Sequence, residues 1–355
     1  MTSKMEKDLL DALDERWDDY RRQFRAGRRE ITEESIHDLR VAARKFLAFL
    51  YLLRIIHAHA NVKKMRTFLK EQVDELDQLH DAQVMLASAT QKMAALRQLA
   101  PFQGYLQERT DSLARRARKD IRAFKPSDLK DRFQMLRKAA KKHADDPDLL
   151  DQLLGAVDES RSSTARAFKR LDSADPGTIH HVRIAFKKFR YMIEAIQPFL
   201  PEYPQGLLAR MSDYQDAMGK VHDTTVFLDR LHDFERKLPK DGQGPAASFE
   251  SGPIETHYRK QLSNLARGYF ARKDEFEKFW RPTANSPFPW EQNDESIHRP
   301  SRNRRTKTGQ QQQRTGQPAT TDRHRTQEDA EDRTRVEAVG NRDRPDPDQP
   351  ILAGR

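Results

Sequence analysis

Two stretches of the chain repeat one pattern of a histidine followed by basic residues at helical spacing. The first, ESIHDLRVAARKF, begins at Glu34, and the second, GTIHHVRIAFKKF, begins at Gly177. On a helix that turns about 100° per residue, positions three and seven after each histidine share one stripe with it. The stripes and the positions beside them comprise His37, Arg40, Arg44 and Lys45 in the first copy, and His180, Arg183, Lys187, Lys188 and Arg190 in the second.

These residue types favour an anionic ligand over a metal ion. Ser35 and Thr178 each stand two residues before a histidine, and serine and threonine make good helix N-caps. Caps at these positions would place each histidine in the first helical turn, where free backbone N–H groups and the helix dipole attract anions. An arginine one turn later adds a planar fork that fits phosphate oxygens. Because a metal ion needs electron-pair donors instead, we expect phosphate binding and no metal site.

The opposite face of each motif helix is predicted to be buried. Its apolar residues are Val41, Phe46, Leu50 and Leu53 in the first copy, and Ile184, Phe186, Phe189 and Ile193 in the second. A basic helix face is ordinarily solvated surface, with acids interspersed for pairing along the helix. Here no Asp or Glu occurs between Asp38 and Glu71, or between Asp175 and Glu194. The absence of acids from two matched copies favours a binding site over an ordinary solvated face.

A second motif returns at nearly the same interval as the first. His37 and His180 lie 143 positions apart (180 − 37), while LHDAQVML from Leu79 and VHDTTVFL from Val221 lie 142 apart (221 − 79). Two motifs that recur in the same order indicate an internal repeat. We therefore expect two helical halves of similar plan, at about 1–145 and 146–282.

The composition limits the class of protein. Of the 355 residues, 34% are charged and 36% are hydrophobic, and the net charge of +10 at pH 7 makes polyanions the expected partners. The chain has no cysteine, which excludes disulfides and thiolate metal sites and suits a reducing cytoplasm. The longest apolar run, from Phe46 to Leu53, is far shorter than the roughly 20 residues that span a bilayer. The sequence thus predicts a cytoplasmic protein without a membrane span.

The pattern of apolar residues predicts an all-α fold. Spacings of four and three predict a first helix, ended by Gly27, whose buried stripe is Leu9, Leu13, Trp17, Tyr20 and Phe24. A second helix should start near Ser35 and run past Leu53, and further helical patterns cover about 62–97, 103–124, 128–142, 148–172, 178–200, 205–237 and 253–281. Residues 283–355 have no aromatic residue after Trp290 and few aliphatics, which predicts a disordered polar tail.

Together the motifs resemble the CHAD domain, the conserved histidine α-helical domain. IHDLRVAARKF and IHHVRIAFKKFR resemble its basic helices, and ELDQLHDAQVML and AMGKVHDTTVFL resemble the segment that follows each of them. The resemblance covers about residues 1–282 and leaves out the tail. It implies two bundle-like halves that face each other across a basic groove, with the first-copy basic residues on one wall and the second-copy residues on the other. It also implies non-catalytic binding of inorganic polyphosphate without a cofactor, and association with polyphosphate granules is a further expectation.

Several residues depart from the family pattern or extend it. Where the family usually has an arginine before the aspartate of the second motif, this chain has His80 in one half and His222 in the other. Where the family usually has a glycine, the first half has Asp77. A contribution of His80 and His222 to binding would depend on pH. The later helices carry further basic residues, which would either extend the groove or form ordinary solvated faces: Arg115, Arg118, Lys260 and Arg267.

Two other functions stay open on the sequence. A nucleic acid would satisfy the same electrostatics through the basic surface or the tail, although single-strand binders usually add exposed aromatic residues for base stacking. An enzyme that acts on phosphoanhydrides ranks lower, because the sequence has no P-loop and no cluster of carboxylates for magnesium. For polyphosphate, affinity should rise with chain length, fall with salt, and rise as pH drops through the histidine range.

Overall fold

The computed structural model of the protein describes residues 4–56, 60–124, 126–144, 146–238 and 249–290. The helices within these ranges are α1 (Lys4–Arg29), α2 (Glu33–Ile56), α3 (Ala60–Lys92), α4 (Ala100–Ala123), α5 (Pro126–His143), α6 (Leu149–Phe168), α7 (Thr178–Ile196), α8 (Gln205–Lys237) and α9 (Gly252–Arg272). Short 3-10 helices cover Arg97–Leu99, Gln197–Phe199 and Lys273–Lys278. These ranges contain no strand, so the predicted all-α fold is confirmed. From position 291 onward the predicted tail lies outside the described residues.

The first helix is longer than its sequence pattern predicted. Gly27 was expected to end α1, but the helix continues to Arg29. Gly27 is buried, and a Cβ atom at this position would lie 3.5 Å from Leu39 Cδ2 of α2. Glycine costs a helix interior only about 1 kcal/mol relative to alanine. Packing of α1 on α2 is sufficient to keep this residue helical.

The helices can be compared across the two predicted halves. Helices α1 to α4 correspond in order to α6 to α9, and α3 and α8 each contain 33 residues. The predicted boundary near 145 falls between the end of α5 at His143 and the start of α6 at Leu149. Across this boundary α2 packs directly against α7, so the two motif helices are neighbours.

The apolar residues of both halves share one core. Phe46 of α2 and Phe186 of α7 are both fully buried in the same cluster. A second cluster joins α3 and α4 to α8 and α9, where the rings of Phe227 and Tyr258 stack with centroids 3.9 Å apart. Because each cluster takes residues from both halves, burial of apolar surface holds α2 and α7 together.

The predicted buried faces of the motif helices are correct except at one position in each copy. Phe46, Phe186 and Phe189 are buried, whereas Ile184 is 38% exposed and Val41 is half-buried. Ile184 and Val41 each lie four residues after a motif histidine, which places them only about 40° from the basic stripe. The helical geometry therefore puts these two residues beside the basic stripe and away from the core.

Aromatic packing continues beyond the predicted domain boundary at 282. The rings of Phe288 and Trp290 lie 4.9 Å and 5.8 Å from that of Trp280. Trp280 is fully buried, and its Nε1 donates a hydrogen bond of 2.7 Å to Asp158 Oδ1 of α6. Residues 283–290 thus cover the end of the second half.

No helix in the described part of the chain has the length and apolarity needed to cross a membrane.

Candidate anion-binding site

The packing of α2 on α7 brings the two basic motifs together. The ammonium group of Lys188 on α7 lies 4.0 Å from the centre of the Tyr51 ring on α2, a cation–π contact between the two helices. Burial lowers the pKa of Lys187 to about 6, and the guanidinium of Arg44 on α2 lowers it further, as does that of Arg183. The cations of the two motifs therefore lie close enough to repel one another.

In the first half, the motif arginines already hold an anionic group. Arg40 Nε donates a hydrogen bond of 2.7 Å to Asp77 Oδ1 on α3, and Arg44 Nη2 donates to both carboxylate oxygens of Asp77, at 2.5 Å for Oδ1. Arg40 is only 5% exposed. Burial by itself would raise the pKa of Asp77, but the Arg44 and Arg40 guanidiniums outweigh it and hold this pKa below its ordinary value. Asp77 is thus an ionised internal partner of both arginines.

The second half presents its cations differently. Arg183 and Lys187 occupy the positions that correspond to Arg40 and Arg44, and both are half-buried. Within the described ranges, neither forms an ion pair with a carboxylate. The position that corresponds to Asp77 is Gly219 of α8, which has no side chain. Arg183 and Lys187 therefore differ from Arg40 and Arg44 in lacking an ion pair among the described residues.

Each motif histidine lies beside the histidine of the second motif in its own half. The Nδ1 atoms of His180 and His222 are 3.1 Å apart, so one ring donates to the other. The rings of His37 and His80 lie 5.8 Å apart, and the buried Nδ1 of His80 has no hydrogen-bond partner among the described residues. The arrangement places His80 and His222, which the sequence left as secondary candidates, next to the primary ones.

The pKa values of His80, His180 and His222 favour neutral rings. Burial lowers the pKa of His80 to about 4, with Arg40 and His37 adding to the effect. Burial likewise lowers the pKa of His222 to about 3, assisted by Arg183 and His180. The pKa of His180 is lowered by burial and by Arg183. Without a bound anion, these rings therefore stay neutral at physiological pH.

Two further carboxylates lie among the cations. Burial raises the pKa of Asp81 on α3, and Asp77 raises it further. Burial raises the pKa of Asp223 on α8 to about 6; Arg183 opposes this shift and Asp81 adds to it. No group of three or more histidine, aspartate or glutamate side chains within the described ranges could hold a metal ion.

The helix starts differ from the predicted caps. Thr32 is the N-cap of α2, where Ser35 N donates to Thr32 Oγ1 (3.0 Å) and Thr32 N donates to Ser35 Oγ (2.9 Å). This reciprocal pair is a capping box. It makes Ser35 the third helical residue and His37 the fifth, so the prediction that Ser35 caps α2 and puts His37 in the first turn is wrong.

The start of α7 has no side-chain cap at Thr178 either. Thr178 is the first helical residue, and its Oγ1 donates to the backbone oxygen of Asp175 at 2.7 Å. The backbone N–H groups of Thr178, Ile179 and His180 donate to carbonyl oxygens of the preceding turn. Because these donors are occupied, an anion at this site would be held by side chains and not by the helix terminus.

The other predicted residues lie in three settings. Lys45 is half-buried beside Arg44, and Lys188 is exposed beside Lys187. Arg190 is turned toward its own half, where it pairs with Glu194 at 2.9 Å and donates to Gln215 Oε1 at 3.0 Å. The remaining candidates are exposed on the surfaces of α4 and α9: Arg115, Arg118, Lys260 and Arg267.

The sequence did not predict the pairing of Asp77 with the first-half arginines. The one signal for it was the mismatch between Asp77 and Gly219 at matching positions of the repeat.

The fold and the site define a class of all-helical repeat protein with a cationic cluster where two matched helices meet. The family model described as the CHAD domain matches residues 11–232, more than half of the chain, and the protein belongs to this family. No curated protein sequence matches the chain.

Solved structures with a similar fold include the following two. The crystal structure of the CHAD domain from the plant Ricinus communis is 17% identical and has a TM-score of 0.52; the match covers 78% of this chain and 91% of that one. PptA from Streptomyces chartreusis is 16% identical, with a TM-score of 0.55, and the match covers 76% of this chain and 99% of that one. At these identities the likeness concerns the fold alone.

Proposed function

We propose that the protein binds inorganic polyphosphate without catalysis, through the cations where α2 and α7 meet. One observation carries the proposal. Lys187 lies close to Arg44 of the other half and to Arg183, and within the described ranges neither Lys187 nor Arg183 forms an ion pair with a carboxylate. An anion placed between them would relieve their mutual repulsion and favour the protonated form of Lys187.

The residues proposed to contact the polymer lie along the two motif helices. On α7, the side chains of Lys188, Lys187 and Arg183 would bind successive phosphates of the polymer. His180 would be an additional hydrogen-bond donor once its ring is protonated. On α2 the corresponding residues are His37, Arg40, Arg44 and Lys45. A linear polymer with about one charge per phosphate suits such a row, because weak individual contacts add up and counterions are released. Association with cytoplasmic polyphosphate granules belongs to the same proposal.

A titration with polyphosphates of defined length tests this function. We expect affinity to increase with chain length until the site is filled, and the logarithm of affinity to fall linearly with the logarithm of salt concentration. Fluorescence anisotropy with an end-labelled polymer measures both. Absence of binding at low salt, or affinity independent of length, would contradict the proposal. Phosphate release during the same titration, with and without magnesium, checks that binding occurs without turnover.

Competition with single-stranded DNA separates polyphosphate from nucleic acid as the ligand. The motif phenylalanines Phe46, Phe186 and Phe189 are fully buried, so they cannot stack with bases. At equal phosphate concentration, polyphosphate should therefore displace DNA, while DNA should not displace polyphosphate. The opposite order would favour nucleic acid.

The affinity for polyphosphate is expected to increase about tenfold as the pH falls from 8 to 5.5. Burial brings the pKa values of Asp223 and Lys187 both to about 6. Arg183 and Arg40 act on both groups, Asp81 acts on Asp223, and Arg44 and Asp77 act on Lys187. A bound polyanion favours the neutral acid at Asp223 and the charged amine at Lys187. It raises both pKa values, so binding takes up protons and is stronger at lower pH.

The pH dependence can be assigned by substitution. Asp223→Asn and Lys187→Arg should each reduce the rise in affinity. Asp229→Asn, at an exposed position of the same helix, should leave it unchanged. Long polymers are used for this titration, because their terminal phosphates are too few for their own protonation to affect the measured pH dependence. A wild-type affinity that is equal at pH 8 and pH 5.5 would exclude this coupling.

A further inference from the structure

We propose that Asp77 acts as a built-in competitor that closes the first half of the site to phosphate, so that the second half, where Gly219 stands, binds the ligand. The inference rests on the proposed function and adds to it an asymmetry between two halves whose motifs are otherwise matched. Asp77 thereby determines which cations meet the polymer.

The internal repeat defines the comparison. The second motif places Asp77 two residues before Leu79 and Gly219 two residues before Val221. The first motif matches Arg40 with Arg183 and Arg44 with Lys187. Each half therefore presents the same two cation positions to one position on the following long helix. A carboxylate occupies that position in the first half only.

The geometry of Asp77 is that of an occupied anion site. Its carboxylate accepts from Arg40 Nε at 2.7 Å and from Arg44 Nη2 through both oxygens. These are the donors that a phosphate would need. Because Asp77 belongs to the same chain, its effective concentration at the arginines is high, and a phosphate would have to displace it.

The second half has room for the same carboxylate but lacks it. Gly219 is half-buried within α8, and a Cβ atom built there would meet nothing within 4 Å. Among the described residues, Arg183 and Lys187 then form no ion pair with a carboxylate; Asp223 and Asp81 act on Arg183, and Asp77 on Lys187, only from beyond ion-pairing distance. The position of Gly219 leaves this pair free for phosphate.

The decisive experiment introduces the competitor into the open half. Gly219→Asp should weaken polyphosphate binding about tenfold, since it gives Arg183 and Lys187 a carboxylate of their own. Gly219→Asn has nearly the same size without the charge and should bind like the wild type. Gly206→Asp adds the same charge to α8 about 20 Å along the helix, at an exposed position with open space around its Cβ, and should also bind nearly like the wild type.

The reciprocal change opens the closed half. Asp77→Asn should strengthen binding about tenfold. The affinity should also fall more steeply with salt concentration, because about one more ion is released for each arginine that gains a phosphate contact. The steeper salt dependence would not arise from a merely structural role of Asp77. Circular dichroism first establishes that this variant is folded, because the change leaves buried arginines without their partner. If it does not fold, Gly219→Asp decides the question alone.

The outcomes separate this inference from the proposed function. If the wild-type protein fails to bind polyphosphate, the proposed function is wrong. If the wild type binds, and Gly219→Asp binds equally well, the function stands and the asymmetry is overturned. Equal weakening by Gly219→Asp and Gly206→Asp would also overturn it, because net charge alone would then explain the loss. A folded Asp77→Asn variant with unchanged affinity and salt dependence would do the same.

Discussion

Replacing Arg183 and Lys187 together by alanine is expected to weaken polyphosphate binding about 100-fold. Each residue offers a charge-assisted contact worth roughly 1.5 kcal/mol, and about 1.4 kcal/mol corresponds to a factor of ten in affinity. The slope of the logarithm of affinity against the logarithm of salt concentration should become shallower by about 1.4, at about 0.7 for each of the two phosphate contacts that are lost. Polyphosphate titrations of the wild type and the double variant at several salt concentrations measure both quantities.

The double variant should fold normally. Neither side chain takes part in an ion pair among the described residues, and truncating Lys187 removes an amine that burial and neighbouring arginines already disfavour in its charged form. Lys138→Ala combined with Lys142→Ala is the matched control, since it removes two exposed cations from α5 and leaves α2 and α7 intact. If the control weakens binding as much as the double variant does, net charge and not this site would account for the affinity.

Replacing Phe186 by alanine is expected to lower the free energy of unfolding by about 3–5 kcal/mol, as large-to-small changes at buried aromatic positions do. The Phe186 ring is fully buried on the core side of α7, with the Tyr214 ring centroid at 5.0 Å and that of Phe279 at 5.8 Å. Its removal leaves a cavity among rings that belong to three different segments. Urea denaturation followed by circular dichroism measures the change.

Ile184→Ala, two residues earlier on the same helix, is the matched comparison. The sequence pattern grouped Ile184 with Phe186, but Ile184 is 38% exposed. Its truncation should change stability by less than about 0.5 kcal/mol, as is usual for surface positions. A comparable loss from both variants would mean that α7 faces the core differently from the orientation described above. Since Phe186 does not touch the ligand, polyphosphate affinity of the folded Phe186→Ala protein should stay unchanged.

Together these features describe a site that is part of the packing between two halves. The same two helices that contribute Phe46 and Phe186 to the core carry the cations on their other faces. Positioning the site therefore needs no flexible loop. It does, however, bring like charges together. Asp77 forms ion pairs with both first-half arginines, whereas Arg183 and Lys187 form none among the described residues.

The sequence by itself determined the helices, their approximate ends and the repeat. These features are encoded locally: apolar residues three and four apart produce a helix stripe wherever they occur, and two motifs at one interval reveal two similar units. The basic stripes of α2 and α7 followed from the same periodicity, although Arg190 is turned toward its own half. The exceptions, Val41 and Ile184, lie at the edge of the stripe, where the angle on the helix decides between core and surface.

Only the tertiary structure decided which of those cations form ion pairs. Asp77 lies 37 positions after Arg40, and no local pattern states that α3 turns it toward both first-half arginines. The capping of α2 by Thr32, and the saturation of the first-turn N–H groups of α7 by the preceding turn, depend likewise on the path of the backbone. An ion pair between helices forms only when packing brings its partners within a few ångströms, and spacing along one helix carries no information about that distance.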